Sequence, residues 1–131
     1  MSSEKILLAE DSRLLRTAAT SVLEGRGFTV YAAADGEQAL ELAREHHPDL
    51  VLLDLILPKL QGFEVLQQLR QAPETAQIPV IVLSSLQNAN NFSEYAPVDF
   101  ISKDKFMLNE LAQRVEESLA RAQNKHLQFQ I

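Results

Sequence analysis

The sequence predicts an α/β fold in which a doubly wound parallel sheet of five strands carries helices on both faces. Two observations carry that expectation. Apolar runs of strand length recur at Ile6 to Ala9, Phe28 to Ala33, Leu50 to Leu53, Val80 to Leu83 and Val98 to Ile101. Segments of helical period separate them, and strands alternating with helices need right-handed crossovers, which cover both sheet faces.

Four of the runs are nearly continuous in Val, Ile and Leu, as strands buried on both faces should be. The second differs: Phe28, Val30 and Ala32 alternate with Thr29 and Tyr31, the pattern of an edge strand. Leu15, Ala19, Val22 and Leu23 form the apolar stripe of the first helix, and Leu108, Leu111, Ala112, Val115 and Leu119 that of the last. Gly25 and Gly27 end the first helix, Asp35-Gly36 opens the second, and Pro48 closes it. Pro58 and Gly62 mark a loop before the third.

The chain of 131 residues fits one domain, 1–131, with a core at 5–122 and a tail at 123–131. Its 46% hydrophobic and 23% charged residues are those of an ordinary globular protein. Without cysteine, disulfides and thiolate metal sites are excluded. The first apolar run is too short for a secretory core or a membrane span, so a cytoplasmic location is expected. A net charge of −6 disfavours a direct grip on nucleic acid.

In doubly wound sheets, ligands sit at the carboxyl ends of the strands. Here strand one runs into Glu10 and Asp11, strand three into Asp54, strand four into Ser84 and Ser85, and strand five into Ser102 and Lys103. Two unit charges about 4 Å apart repel by about 4 kcal/mol at an effective dielectric near 20, so three clustered carboxylates call for a cation. Oxygen ligands point to a hard ion, and Mg²⁺ suits the set best, with Mn²⁺ as the alternative. Phosphoryl transfer needs an in-line nucleophilic oxygen, a metal, and groups that hold the equatorial oxygens. Asp54, at the end of the middle strand, is the candidate nucleophile, because carboxylates form acyl phosphates.

Taken singly, each residue has a plainer role. Asp11 or Ser12 could cap the first helix, Asp54 could stabilise the turn toward Pro58, and Lys103 could be a solvated lysine. Only the conjunction at four strand ends favours chemistry.

Together, Ala9-Glu10-Asp11-Ser12, Asp54-Leu55-Ile56-Leu57-Pro58 with Gly62, Leu83-Ser84-Ser85 and Phe100-Ile101-Ser102-Lys103 resemble the receiver domains of two-component response regulators, of the chemotaxis-regulator kind. The resemblance implies a flavodoxin-like sheet of order 2-1-3-4-5. It further implies Asp54 as phosphoacceptor, and a Mg²⁺ site of Glu10, Asp11, Asp54 and the Ile56 carbonyl. Ser84, Ser85 and Lys103 would hold the phosphoryl group, and Ser84 and Phe100 would form the conformational switch. Expected partners are a sensor histidine kinase or phosphotransfer protein and an output protein, with a homodimer as an option. Neither nucleic acid nor membrane is expected to be contacted directly. The module is expected to signal rather than act as an enzyme, beyond catalysing its own phosphorylation and dephosphorylation.

The chain departs from the family in four places. Asp104 follows Lys103 where receivers usually carry a proline behind a cis bond; a non-proline cis bond costs about 2.5–4 kcal/mol, so a trans Lys103-Asp104 bond is expected. Asp104 is free to pair with Lys103 or to cap the last helix. The Ser84 to Lys103 stretch is short and holds Asn88, Asn90, Asn91, Ser93 and Pro97, which predicts a short, irregular or mobile fourth helix. Ile56 and Leu86 are apolar where some receivers use polar side chains to orient the hydrolytic water, which predicts a long-lived phosphoryl group. Ser85 replaces the usual small residue.

Two other readings share this topology. An aspartate-nucleophile phosphatase would need a second aspartate two residues beyond Asp11, where Arg13 stands. A pseudo-receiver would use the fold for docking without phosphorylation. A dinucleotide or flavin site lacks its Gly-rich loop after strand one. His46 and His47 are adjacent and read as solvent-facing.

Overall fold

Alternate residues of a strand point to opposite faces, and in this sheet both faces are apolar. Leu7, Ala9, Val51, Leu53, Val80 and Val82 belong to one buried cluster, whereas Ile6, Leu8, Leu50, Leu52, Ile81 and Leu83 belong to a second. That division explains the unbroken apolar runs.

The computed structural model describes residues 3–84, 93–103 and 108–129. Its elements are β1 (Lys5–Ala9), α1 (Arg13–Gly25), β2 (Thr29–Ala33), α2 (Gly36–His46), β3 (Leu50–Asp54), α3 (Gly62–Gln71), β4 (Val80–Ser84), a 3₁₀ turn (Ser93–Tyr95), β5 (Val98–Ser102) and α4 (Leu108–Phe129). All strand pairs are parallel, in the order β2-β1-β3-β4-β5. The predicted fold class and strand order are therefore observed. Helices α2 and α3 cover the first cluster, with Ala39, Leu40, Ala43, Val65, Leu66 and Leu69 buried. Helices α1 and α4 cover the second through Ala19, Leu23, Leu111, Ala112, Val115 and Leu119. Each fully buried Leu, Ile or Val contributes roughly 1.5–3 kcal/mol.

Two strand expectations need correction. β5 is the second edge of the sheet, and only Ile101 in it is buried. β2 is an edge strand as expected, but its faces do not divide into apolar-in and polar-out. Tyr31 packs on the α2–α3 side, Phe28 and Val30 pack on the other, and Ala32 is exposed. His46 is not simply solvent-facing either. Its ring stacks on Tyr31 at a centroid distance of 3.9 Å, and its carbonyl accepts the Lys5 ammonium.

The helix starts follow the sequence. Ser12 caps α1, accepting from Leu15 N, and Asp35 caps α2, accepting from Gln38 N at 2.8 Å. His47 ends α2 in the left-handed conformation, just before Pro48. α4 runs on to Phe129, into the stretch expected to be a tail.

Most of the expected fourth helix, with Ser85, Leu86, Asn88, Asn90 and Asn91, lies outside the described residues, as does Asp104 with its predicted trans bond. The part before β5 is fastened to α3. Arg70 donates to the carbonyls of Tyr95 at 2.6 Å, Pro97 at 2.7 Å and Thr75 at 3.4 Å. Gln67 donates to the Tyr95 hydroxyl, and the Tyr95 ring stands edge-on to Phe63.

Candidate metal and phosphoryl site

Parallel register brings the ends of β1 and β3 level, since Ala9 pairs with Leu53 and the next residues are Glu10 and Asp54. Asp54 is the last residue of β3 and is buried; Glu10 is fully buried. Asp11, one residue further, is exposed. One carboxylate oxygen from each of the three lies within 4.8 Å of the other two.

Lys103, immediately after β5, reaches across to this cluster. Its Nζ lies 2.8 Å from Asp54 Oδ2 and 2.8 Å from Glu10 Oε1. Burial by itself pushes the ammonium pKa down, but the hydrogen bonds and charges of Asp54 and Glu10 outweigh it, and the net shift is upward. Lys103 is therefore a cation at every physiological pH. The other carboxylate oxygens take backbone amides: Ile56 N donates to Asp54 Oδ1 at 3.2 Å, and Ser12 N donates to Glu10 Oε2 at 3.0 Å.

These partners do not satisfy the cluster. Glu10 Oε1 is buried, and among the described residues its partner is the Lys103 ammonium at 2.8 Å. Among the described residues, three carboxylates face one ammonium, an excess of two negative charges that a divalent cation would neutralise. The all-oxygen donor set suits a hard ion such as Mg²⁺. The residues present fit that group.

Of the residues read from the sequence, Glu10, Asp11, Asp54 and Lys103 converge. Ser84 is buried at the end of β4, aligned with Ser102. Ile56 sits at the rim and is 58% exposed. Phe100 is half-buried on β5 and packs toward the α2–α3 side. The plainer readings hold for Ser12, which caps α1, and in part for Asp54, whose Oδ1 accepts from Ile56 N in the turn toward Pro58, but not for Lys103, which is ion-paired.

Arg16 escaped the sequence reading. Its guanidinium donates to the carbonyls of Glu10 at 2.8 Å and Asp11 at 3.3 Å, bracing the acidic turn from behind. The signal was available: a cation so near a helix N-terminus is disfavoured by the helix dipole and needs a local partner.

Fold and site thus define a doubly wound domain with a cation-seeking acidic pocket at the carboxyl edge of its sheet, at the place where strand order reverses. Residues 6–116 match the family model of the response regulator receiver domain, and the chain belongs to that family. It is 37% identical over 124 residues to the probable transcriptional regulator ycf27 of Porphyridium aerugineum, an alignment covering 92% of this chain and 50% of that protein. It is 36% identical over 83 residues to the polar-differentiation response regulator DivK of Brucella ovis, covering 63% of this chain and 68% of that one. The chain spans about half the length of the ycf27 proteins it matches. A Francisella response regulator receiver domain superposes with a TM-score of 0.80 at 30% identity, covering 91% of this chain and 98% of the other. The receiver domain of a sensor histidine kinase from Pseudomonas aeruginosa, with a magnesium ion coordinated in its active-site cleft, superposes at 0.79 with 28% identity, covering 91% and 99%. Among the described residues, no helix is long and apolar enough to cross a membrane.

Proposed function

We propose that Asp54 is the phosphoacceptor of a Mg²⁺-dependent receiver, phosphorylated from the phosphohistidine of a histidine kinase or phosphotransfer protein. The observation that carries this reading is the environment of Asp54, buried at the end of the central strand with a lysine on one oxygen and a backbone amide on the other. Glu10, Asp11, Asp54 and the Ile56 carbonyl would hold the metal, which supplies charge neutralisation for the transferring phosphoryl group. An Asp54 oxygen attacks phosphorus as the bond to the donor's histidine nitrogen breaks, leaving an acyl phosphate on Asp54 and neutral imidazole on the donor. Lys103 then exchanges its contact with Asp54 for a phosphoryl oxygen. Ser84, with Ser85, binds another and relays the change to Phe100 and the β5–α4 face. Water later cleaves the acyl phosphate.

The module itself signals by docking, in the cytoplasm, to an output protein or to the remainder of a longer chain. Mass spectrometry after incubation with acetyl phosphate and Mg²⁺ tests the reading. Wild type gains one phosphoryl mass and Asp54→Asn gains none. An unlabelled wild type, with no response to beryllofluoride in the Asp54 and Phe100 resonances, would favour a pseudo-receiver instead.

A further inference from the structure

The loop from Leu55 to Gln61 carries Ile56, whose amide holds Asp54 and whose carbonyl would face the metal. This loop is gripped between the first residues of two helices. On the α3 side, Gly62 N donates to Leu55 O at 3.0 Å, and a Cβ on Gly62 would fall 2.1 Å from Asp54 O. On the α2 side, Gly36 N donates to Pro58 O at 3.2 Å, and a Cβ on Gly36 would fall 1.9 Å from Leu60 O and 2.7 Å from Leu60 Cβ. Both clashes are with backbone, so the loop would have to move.

The segment touching Gly36 is tightly wound. Leu60 N closes back on Pro58 O at 2.7 Å, and Lys59 between them has φ 67, in the left-handed region that non-glycine residues seldom occupy. Leu57, on the other side of Pro58, is buried and anchors the loop to the core. Leu57 on one side and Gly62 on the other hold this turn in place, so a displacement at Leu60 strains the 55–61 segment that carries Ile56.

We propose that Gly36 is a positioning residue for the metal and phosphoryl pocket, because its contact with the Pro58–Leu60 turn sets where Ile56 presents its carbonyl and amide. The proposal rests on the phosphoacceptor reading above. Gly36 touches none of the reacting groups. It acts through the loop, and it couples the start of α2 to the end of β3.

The test is Mg²⁺ titration followed by the Ile56 amide resonance and by calorimetry, on wild type, Gly36→Ala, Leu60→Gly and Gly25→Ala. Helix propensity alone favours alanine at both glycines. Gly25 has nothing within 4 Å of its built Cβ, so Gly25→Ala should bind Mg²⁺ as wild type does. Gly36→Ala should shift the Ile56 amide in the metal-free protein and weaken Mg²⁺ binding about tenfold, the scale seen when groups supporting metal ligands are removed. Should Gly36→Ala not fold, Leu60→Gly loosens the same contact without a clash and should weaken Mg²⁺ several-fold. Unchanged affinity and an unmoved Ile56 amide in the folded variants overturn the proposal while leaving the phosphoacceptor reading intact. A wild type that binds no Mg²⁺ overturns both.

Discussion

Lys103 Nζ lies 2.8 Å from Asp54 Oδ2 across the carboxyl edge of the sheet, and the same ammonium lies 2.8 Å from Glu10. One cation thus holds two carboxylates that are almost wholly removed from water. Replacing it with Met should expose how much of the fold depends on that arrangement. Removing one partner of a fully buried pair costs about 3–5 kcal/mol. The Lys103 side chain is 25% exposed, so screening reduces the expected loss to about 2–3 kcal/mol for Lys103→Met, read as a lower urea midpoint in EDTA. Added Mg²⁺ should restore part of it.

The same contact predicts a pH dependence. The Lys103 pKa in the fold is raised above the ordinary 10.5 by its carboxylates, despite the opposing effect of burial. The folded state then binds the proton more tightly than the unfolded one. The stabilisation is complete below pH 10.5 and is lost as pH rises through the folded pKa. From neutral pH up to about 10.5, urea midpoints for wild type and Lys103→Met should stay apart by a constant amount, and they should draw together above it. A gap that persists unchanged as pH rises well above 10.5 would contradict the assignment.

The strand ends were legible because β1, β3 and β4 are unbroken apolar runs, and the first polar residue after each falls at the sheet edge. β5 was read as doubly buried from Val98, Phe100 and Ile101, yet a strand's position in the sheet is decided by its neighbours, and β5 has one only on the β4 side. The partners of Arg16 are backbone carbonyls, which side-chain identity does not show. The His46 stack arises because the end of α2 returns over Tyr31 of β2, a contact set by crossover geometry rather than by local pattern.

Metal linkage separates Asp11 from its buried neighbours. A ligand that binds only the folded state stabilises it by about 2.7 kcal/mol at one hundred times its Kd. Wild type should gain about that much in a thermal or urea titration with Mg²⁺. Asp11 is exposed, so Asp11→Asn should leave metal-free stability within about 0.5 kcal/mol of wild type. It should nevertheless lose most of the Mg²⁺-dependent gain. Equal gains in the two proteins would remove Asp11 from the metal site.

Ile56, 58% exposed and two residues from Asp54, places an apolar side chain at the rim of the pocket. It can neither donate to nor accept from a water approaching the acyl phosphate. The phosphoryl group on Asp54 should therefore persist for minutes or longer. Ile56→Asn, which offers both a donor and an acceptor, should shorten its life. Labelling with acetyl phosphate, followed by its removal and timed mass spectra, measures both, and a wild-type half-life of seconds would contradict the expectation.

Arg70 fastens α3 to the segment that enters β5 through the carbonyls of Tyr95 and Pro97, and also donates to the carbonyl of Thr75 in the turn after α3. Burial pushes its guanidinium down to about 10, still well above neutrality, so it remains a cation in use. Hydrogen bonds to a charged group contribute about 1.5–3 kcal/mol each, and truncation also strands the carbonyls. Part of the cost is recovered when water reaches them, which leaves an expected loss of about 2–3 kcal/mol for Arg70→Ala in urea unfolding. Lysine cannot fork to three carbonyls, so Arg70→Lys should recover less than half of that loss. The chain has only two tyrosines. Incorporated 3-fluorotyrosine should therefore show the Tyr95 resonance moving in both variants while Tyr31, on the opposite edge strand, stays in place. Movement of both would mean that the substitution disturbs the whole sheet rather than this clamp.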